Sequence, residues 1–294
     1  MPDVLSAATA PWLGLIAAIG VLLAIDLLIV RGRDGAMSLR QAAIASVAWI
    51  GVALAFFVLL LVGGDGDDAG AFLAGYLVEK SLSLDNVFVF LLVFGAFAVP
   101  ARERHRLLTY GIAGALVLRG VFIVAGAALL GAFGWVSYLF AALLLWTAWR
   151  MFRQRHDHDG DAALVAGLQR RLPSALKGAG AVFVVIMVVD VLFAVDSVPA
   201  ILAITDDTFI VFAANAFALL GLRPLFFLVA DLVERLHYLK TALAALLAFI
   251  GTKMILGKLV GKIGPEISLP VIVAILGTGV AASLVRERRL AGAA

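Results

Sequence analysis

The chain has 294 residues, 64% of them hydrophobic and 15% charged, with a mean hydropathy of +1.09. That balance excludes an ordinary soluble domain, because too few polar residues remain to build a water-facing surface. The net charge of +3 does not mark a nucleic-acid binder, since Lys and Arg fall in short clusters between apolar stretches, and the absence of cysteine excludes disulfides, thiolate metal ligands and Cys nucleophiles.

Apolar runs that repeatedly reach the roughly 20 residues needed to cross a bilayer predict spans at 11–30, 41–62, 71–98, 107–130, 134–152, 180–204, 208–232, 239–258 and 267–285. The fold class is therefore all-α, a polytopic membrane bundle of about nine helices. No Lys or Arg precedes the first run, which lacks the basic start of a cleaved signal peptide and is expected to remain in the protein. Trp12, Trp49, Trp135, Trp146, Trp149 and Tyr138 fall mostly near span ends, as an interfacial aromatic belt requires.

Charge orients the spans. Arg31, Arg33 and Arg40, then Arg102, Arg104 and Arg106, then the cluster from Arg150 to Lys177, then Arg235 and Lys240, and finally Arg286, Arg288 and Arg289 occupy alternate loops and the C-terminal tail. Asp65, Asp67, Asp68, Asp206 and Asp207 occupy loops of the opposite parity, where only Lys258 and Lys262 dissent. Cytoplasmic loops carry the excess of Lys and Arg, so the N-terminus is expected outside and the C-terminus in the cytoplasm.

A polar linker at 153–177, containing His156, Asp157, His158 and Asp159, separates two similar halves. The first, 71–152, reads Glu79-x5-Asp85-Asn86 and then Arg119 within the next span. The second, 178–258, reads Asp190-x5-Asp196-Ser197 and then Arg223 within the next span. A three-span unit must enter the membrane in opposite directions in its two copies. That is an inverted repeat, the construction of many secondary transporters, whose substrate sites lie near the midplane between repeats. The His156 to Asp159 run has residues of metal-binding type, but a solvated loop offers no further fixed ligand.

Carboxylates near the centre of a span cost at least about 2.5 kcal/mol each, so they face a bundle interior or an aqueous cavity and are paired or ligated. Asp85, Asp190, Asp196, Glu79, Asn86 and Ser197 form the candidate metal site. Its donors are all oxygen, a set that suits magnesium, calcium or manganese and argues against copper(I). Residues six apart on an unbroken helix lie about 120° apart around its axis, so convergence on one ion predicts interruptions near Asp85 and, through Pro199, near Asp196. Arg119, Arg223 and Lys80 are candidate counter-ions, with interfacial placement the alternative for Lys80. Asp26 either reaches the interface or lines an exit path, and Asn215 either bonds a neighbouring helix or lines the path.

The segments Glu79-Lys80-Ser81-Leu82-Ser83-Leu84-Asp85-Asn86-Val87-Phe88-Val89-Phe90 and Asp190-Val191-Leu192-Phe193-Ala194-Val195-Asp196-Ser197-Val198-Pro199-Ala200-Ile201 closely resemble the two signature segments of the TerC family of integral membrane proteins. The resemblance extends to Leu118-Arg119-Gly120, to Leu220-Gly221-Leu222-Arg223 and to His237-Tyr238-Leu239-Lys240. It implies a manganese exporter of the bacterial inner (plasma) membrane, with Glu79, Asp85, Asp190 and Asp196 as acids of the metal pathway. Where many relatives carry Glu three residues before the acid at Asp190, this chain carries Met187.

No ATP-binding glycine-rich loop is present, so an ion gradient is the available energy source, with protons as the coupling ion. The expectation is a transporter without enzymatic activity or cofactor, whose partners are the metal ion, protons and lipid. The alternatives are transport of calcium or magnesium, and a non-transporting scaffold that aids membrane insertion of other proteins.

Overall fold

The computed structural model describes residues 2–31, 37–63, 66–153, 165–170, 178–229, 238–259 and 265–291. Among them the secondary structure is helical, with no strand. That is what an apolar chain in lipid requires, since a helix satisfies its own backbone where water cannot. In chain order the helices are α1 (Pro2–Arg31), α2 (Leu39–Val62), α3 (Gly66–Ala96), α4 (Ala101–Ala132), α5 (Val136–Arg153), α6 (Ala179–Leu202), α7 (Thr208–Leu220), α8 (Leu222–Val229), α9 (Leu239–Leu259) and α10 (Pro265–Ala291). Each predicted span coincides with one helix, except that the seventh is divided between α7 and α8.

Local chemistry sets several ends. Ser38 and Gln41 form a reciprocal capping box at the start of α2. Asp207 caps α7 by accepting from the amides of Phe209 and Ile210. Among the described residues five helices are long and apolar enough by themselves to cross a membrane, and α7 with α8 makes a sixth as a bent pair. α3 is interrupted in character by Glu79, Lys80 and Asp85, and α5 is only 18 residues long. The outward surface is oily: Val62 is 80% exposed, Val47 68% and Leu13 67%. Apolar exposure on this scale marks a lipid-facing surface.

The expected interruptions near Asp85 and Asp196 do not occur. α3 runs unbroken past Asp85, and α6 runs unbroken through Pro199 to Leu202. Pro199 removes one amide, but only three residues of helix lie beyond it, so no second helical arm exists for it to kink. The break falls in the seventh span, where α7 and α8 meet at Gly221 with a bend of 41°. Pro224 supplies the cause: its ring crowds the carbonyl four residues earlier, at Leu220, and its missing amide leaves that carbonyl without its helical donor.

The packing places α3 at the centre, against α2, α6, α7, α8, α9 and α10. α4 lies against α6 and α7, and α5 against α9. Neighbouring residues show the directions. Gly111 faces Ile186, Gly114 faces Met187, Arg119 meets Asp190 and Gly126 faces Leu202, so α4 and α6 run parallel. Gly75 faces Ala214 and Lys80 reaches Ala218, so α3 and α7 also run parallel. Exchanging α3 with α6 and α4 with α7 turns each of these parallel pairs into the other.

Candidate functional site

The site is built around Arg119. α4 carries this side chain into the bundle where α3, α6 and α7 meet, and it is only 1% exposed. Its Nη1 donates to Glu79 Oε1 from α3, to Ser197 Oγ from α6 at 3.0 Å and to Asn215 Oδ1 from α7 at 3.4 Å. Its Nη2 donates to Asp190 Oδ1 from α6 at 3.2 Å. One planar guanidinium thus ties its own helix to three others, a role its five fixed donors suit and a lysine ammonium does not.

Glu79, with no exposed surface, accepts three side-chain donors. Beside Arg119, Ser83 Oγ donates to its Oε1 at 3.3 Å and Asn215 Nδ2 to its Oε2 at 3.3 Å. Asn215 therefore bridges acid and base, accepting from one and donating to the other. Asp190 is less well satisfied. Its Oδ1 faces Arg119, while its buried Oδ2 has no hydrogen-bond partner, as does Arg119 Nε. Two carboxylates face one guanidinium here, so with both acids ionised the cluster keeps one negative charge in an apolar interior.

A second buried pair stands apart. Arg223, at the start of α8, places Nη2 2.7 Å from Asp26 Oδ1 on α1, and its Nη1 donates to the Asp26 carbonyl at 3.3 Å. Asp26 is 3% exposed, held inside the bundle. Lys80 turns inward as well, and its Nζ donates to the Ala218 carbonyl at 3.2 Å, beside the α7–α8 bend.

Of the predicted metal-site residues, Glu79, Asp190 and Ser197 are brought together at Arg119. Asn86 is buried on α3 but, among the described residues, makes no hydrogen bond to that cluster. Asp85 and Asp196 lie on the courses of α3 and α6, and their side chains fall outside the described residues, as does the His156 to Asp159 run. Among the described residues no three His, Asp or Glu side chains gather as a ready-made metal cluster. Arg119 and Asn215, second-rank candidates by sequence, stand at the centre of the cluster, and Arg223 is held by Asp26. Lys253 is absent from the sequence candidates, yet it is buried on α9 with no hydrogen-bond partner at Nζ. A lone lysine in an apolar run is the only signal the sequence offers for it.

A family model described as "Integral membrane protein TerC family" matches residues 64–291. An uncharacterized membrane protein of Myxococcus xanthus is 40% identical over 94% of this chain and 92% of its own length. A protein of Escherichia coli K12 titled "Putative membrane-bound redox modulator Alx" is 42% identical over 83% of this chain and 85% of its own length. A membrane protein of Rickettsia felis is 32% identical over 95% of this chain and 99% of its own. No solved structure matches the chain.

Proposed function

The chain belongs to the TerC family of integral membrane proteins, and on that premise we propose that it is a secondary transporter that exports a divalent cation, manganese first, through the carboxylate cluster at Arg119. The observation that carries this reading is the charge balance at that cluster. Glu79 and Asp190 oppose one Arg119, and Asp190 Oδ2 is left without a partner. An arrangement serving only to hold helices together would pair charge for charge, because an uncompensated buried carboxylate is costly.

In this reading Arg119 is a tethered counter-ion. It occupies the acids when the site is empty and yields them when a divalent cation arrives, with Ser197 and Asn215 as neutral oxygen donors. Asp85 and Asp196 are proposed as further carboxylates along the path. Protons that neutralise the same acids after the metal leaves would couple export to the proton gradient. Manganese is the choice brought by the family resemblance; calcium and magnesium suit the same oxygen donors.

Nine spans are proposed, with α7 and α8 as one bent span, the N-terminus outside and the C-terminus in the cytoplasm of a bacterial cell, in its inner membrane. The parallel pairs α3–α7 and α4–α6 support this, because alternating passage makes third and seventh spans, and fourth and sixth, run alike. They also support an inverted repeat of 71–152 and 178–258, since repeat exchange interconverts the two pairs. The redox title of the Escherichia coli relative bears on this chain in one way only: with no cysteine, it cannot act by thiol exchange of its own.

The test is manganese flux in vesicles reconstituted with the purified chain, under an imposed pH gradient, with calcium or magnesium as competitor. Flux in the native chain that is lost in Asp190→Asn is expected. Full flux in Asp190→Asn would remove the cluster from the pathway, and no flux of any metal in a folded native chain would favour the scaffold.

A further inference from the structure

A groove of about 550 Å³ opens on the lipid-facing side between the first halves of α4 and α6. Close helix contact closes its inner end: a Cβ on Gly111 would stand 3.0 Å from Ile186 Cγ2, and one on Gly114 2.7 Å from Met187 Sδ. Nearer the helix starts, the small Ala179 on α6 leaves a gap walled by Tyr110 and Phe183. The volume falls within the roughly 300–1,000 Å³ of ligand pockets. Both walls belong to helices apolar enough to cross a membrane, so hydrocarbon is what surrounds the opening.

Two charged residues also line this mostly apolar groove. Glu103 and Arg106, three residues apart on α4, border it with opposite charges. They are neighbours on one helical face, yet among the described residues no ion pair joins them, and neither side chain has a hydrogen-bond partner. A cation and an anion held side by side, unpaired, above an apolar slot match a ligand with an anion, a cation and a hydrocarbon tail.

We propose that this groove binds one zwitterionic phospholipid with a primary amine head, phosphatidylethanolamine in chemical class. An acyl chain lies against Tyr110, Ala179 and Phe183, the phosphate meets Arg106 and the ammonium meets Glu103. A guanidinium recognises phosphate with two parallel donors. The ammonium requirement separates this head from phosphatidylglycerol, which has no cation, and from phosphatidylcholine, whose methylated nitrogen donates no hydrogen bond. The proposal stands independently of the transported ion.

The full chain would be purified in detergent, exposed to equal amounts of phosphatidylethanolamine, phosphatidylglycerol and phosphatidylcholine, and the retained lipid read by native mass spectrometry alongside the thermal midpoint. The native chain should retain phosphatidylethanolamine over the other two by about tenfold, the scale of one charge-assisted hydrogen bond. Glu103→Gln should abolish the preference over phosphatidylglycerol, Arg106→Gln should lower retention of all three, and Ala179→Phe should empty the groove while the midpoint without lipid stays unchanged. Equal retention of the three lipids by the native chain, or undiminished retention in a folded Ala179→Phe, would overturn the assignment.

Discussion

Glu79 and Asp190 hold the same guanidinium, Glu79 at Nη1 and Asp190 at Nη2 of Arg119. In sequence the two acids are equivalents, each opening an acid-x5-Asp motif in its own half of the chain. The second-half arginine, Arg223, pairs with Asp26 on α1. Among the described residues, the cluster at Arg119 thus has two acids and a single base.

The two acids are expected to fail differently when neutralised. Glu79→Gln weakens three hydrogen bonds at the more heavily bonded of the two acids, though Arg119 keeps Asp190, and should lower stability by about 1–3 kcal/mol, the range for leaving buried polar groups unsatisfied. Asp190→Asn leaves the Arg119–Glu79 pair in place and should cost less stability while flux falls by tenfold or more, about 1.4 kcal/mol in the transport barrier. Thermal unfolding in detergent beside vesicle flux checks both, and equal destabilisation by the two changes would contradict the picture.

Energetic coupling should follow the two clusters. A double-mutant cycle of Glu79→Gln with Arg119→Gln should show an interaction of about 0.5–3 kcal/mol, whereas Asp26→Asn with Arg119→Gln should add to within about 0.5 kcal/mol. Strong coupling in the second cycle would mean that the two buried pairs form one network.

At the bend of the seventh span, a Cβ on Gly221 would lie 2.6 Å from Lys80 Nζ and 3.1 Å from Trp49 Cβ. Gly221→Ala should displace the Lys80 ammonium from the Ala218 carbonyl, lowering both stability and flux. Shortening the lysine in Gly221→Ala/Lys80→Ala should restore part of the stability lost in the single glycine variant. A double variant less stable than the sum of the two singles would show that Trp49, not Lys80, sets the limit.

Two tight glycines should rank by the stiffness of what they face. Gly279→Ala would bring its Cβ to 2.5 Å from Ala242 Cβ, which cannot rotate aside, whereas Gly114→Ala meets the flexible Met187 thioether. The first should destabilise by about 1–3 kcal/mol as an overpacked contact does, and the second by less. Chemical or thermal unfolding of the two variants settles the order.

Much of the fold is legible in the sequence because the bilayer imposes lengths. Each of the nine apolar runs coincides with one helix, or with the bent pair α7–α8, and most helix ends lie within a few residues of the predicted boundaries, the start of α1 being the plain exception. The position of the break is not legible from proline alone, because a proline bends a span only where enough helix lies beyond it. Pro199 has three further helical residues, whereas Pro224 has five and an arm to redirect. In the site, Glu79, Asp190 and Ser197 are readable as members of the two repeated motifs, because an ionisable residue within an apolar span must face the bundle interior. The centring on Arg119 is not, because the two repeated arginines read alike in the sequence and both are buried, and only packing brings Arg223 against Asp26 on α1, outside the repeat.

The pairing of Asp26 with Arg223 also sets a timetable for assembly. Asp26 lies on α1, and its partner is 197 residues further along the chain. At roughly 5–20 residues per second, the carboxylate waits about 10–40 s for Arg223 to be made. Glu79, by contrast, waits for an arginine only 40 residues away. Throughout that interval a charge that costs about 2.5–3.5 kcal/mol at the centre of a bilayer must stay near water, protonated, or sheltered by the insertion machinery. α1 also packs against α4 and α7, both made before Arg223, so its docking can begin before its buried ion pair closes.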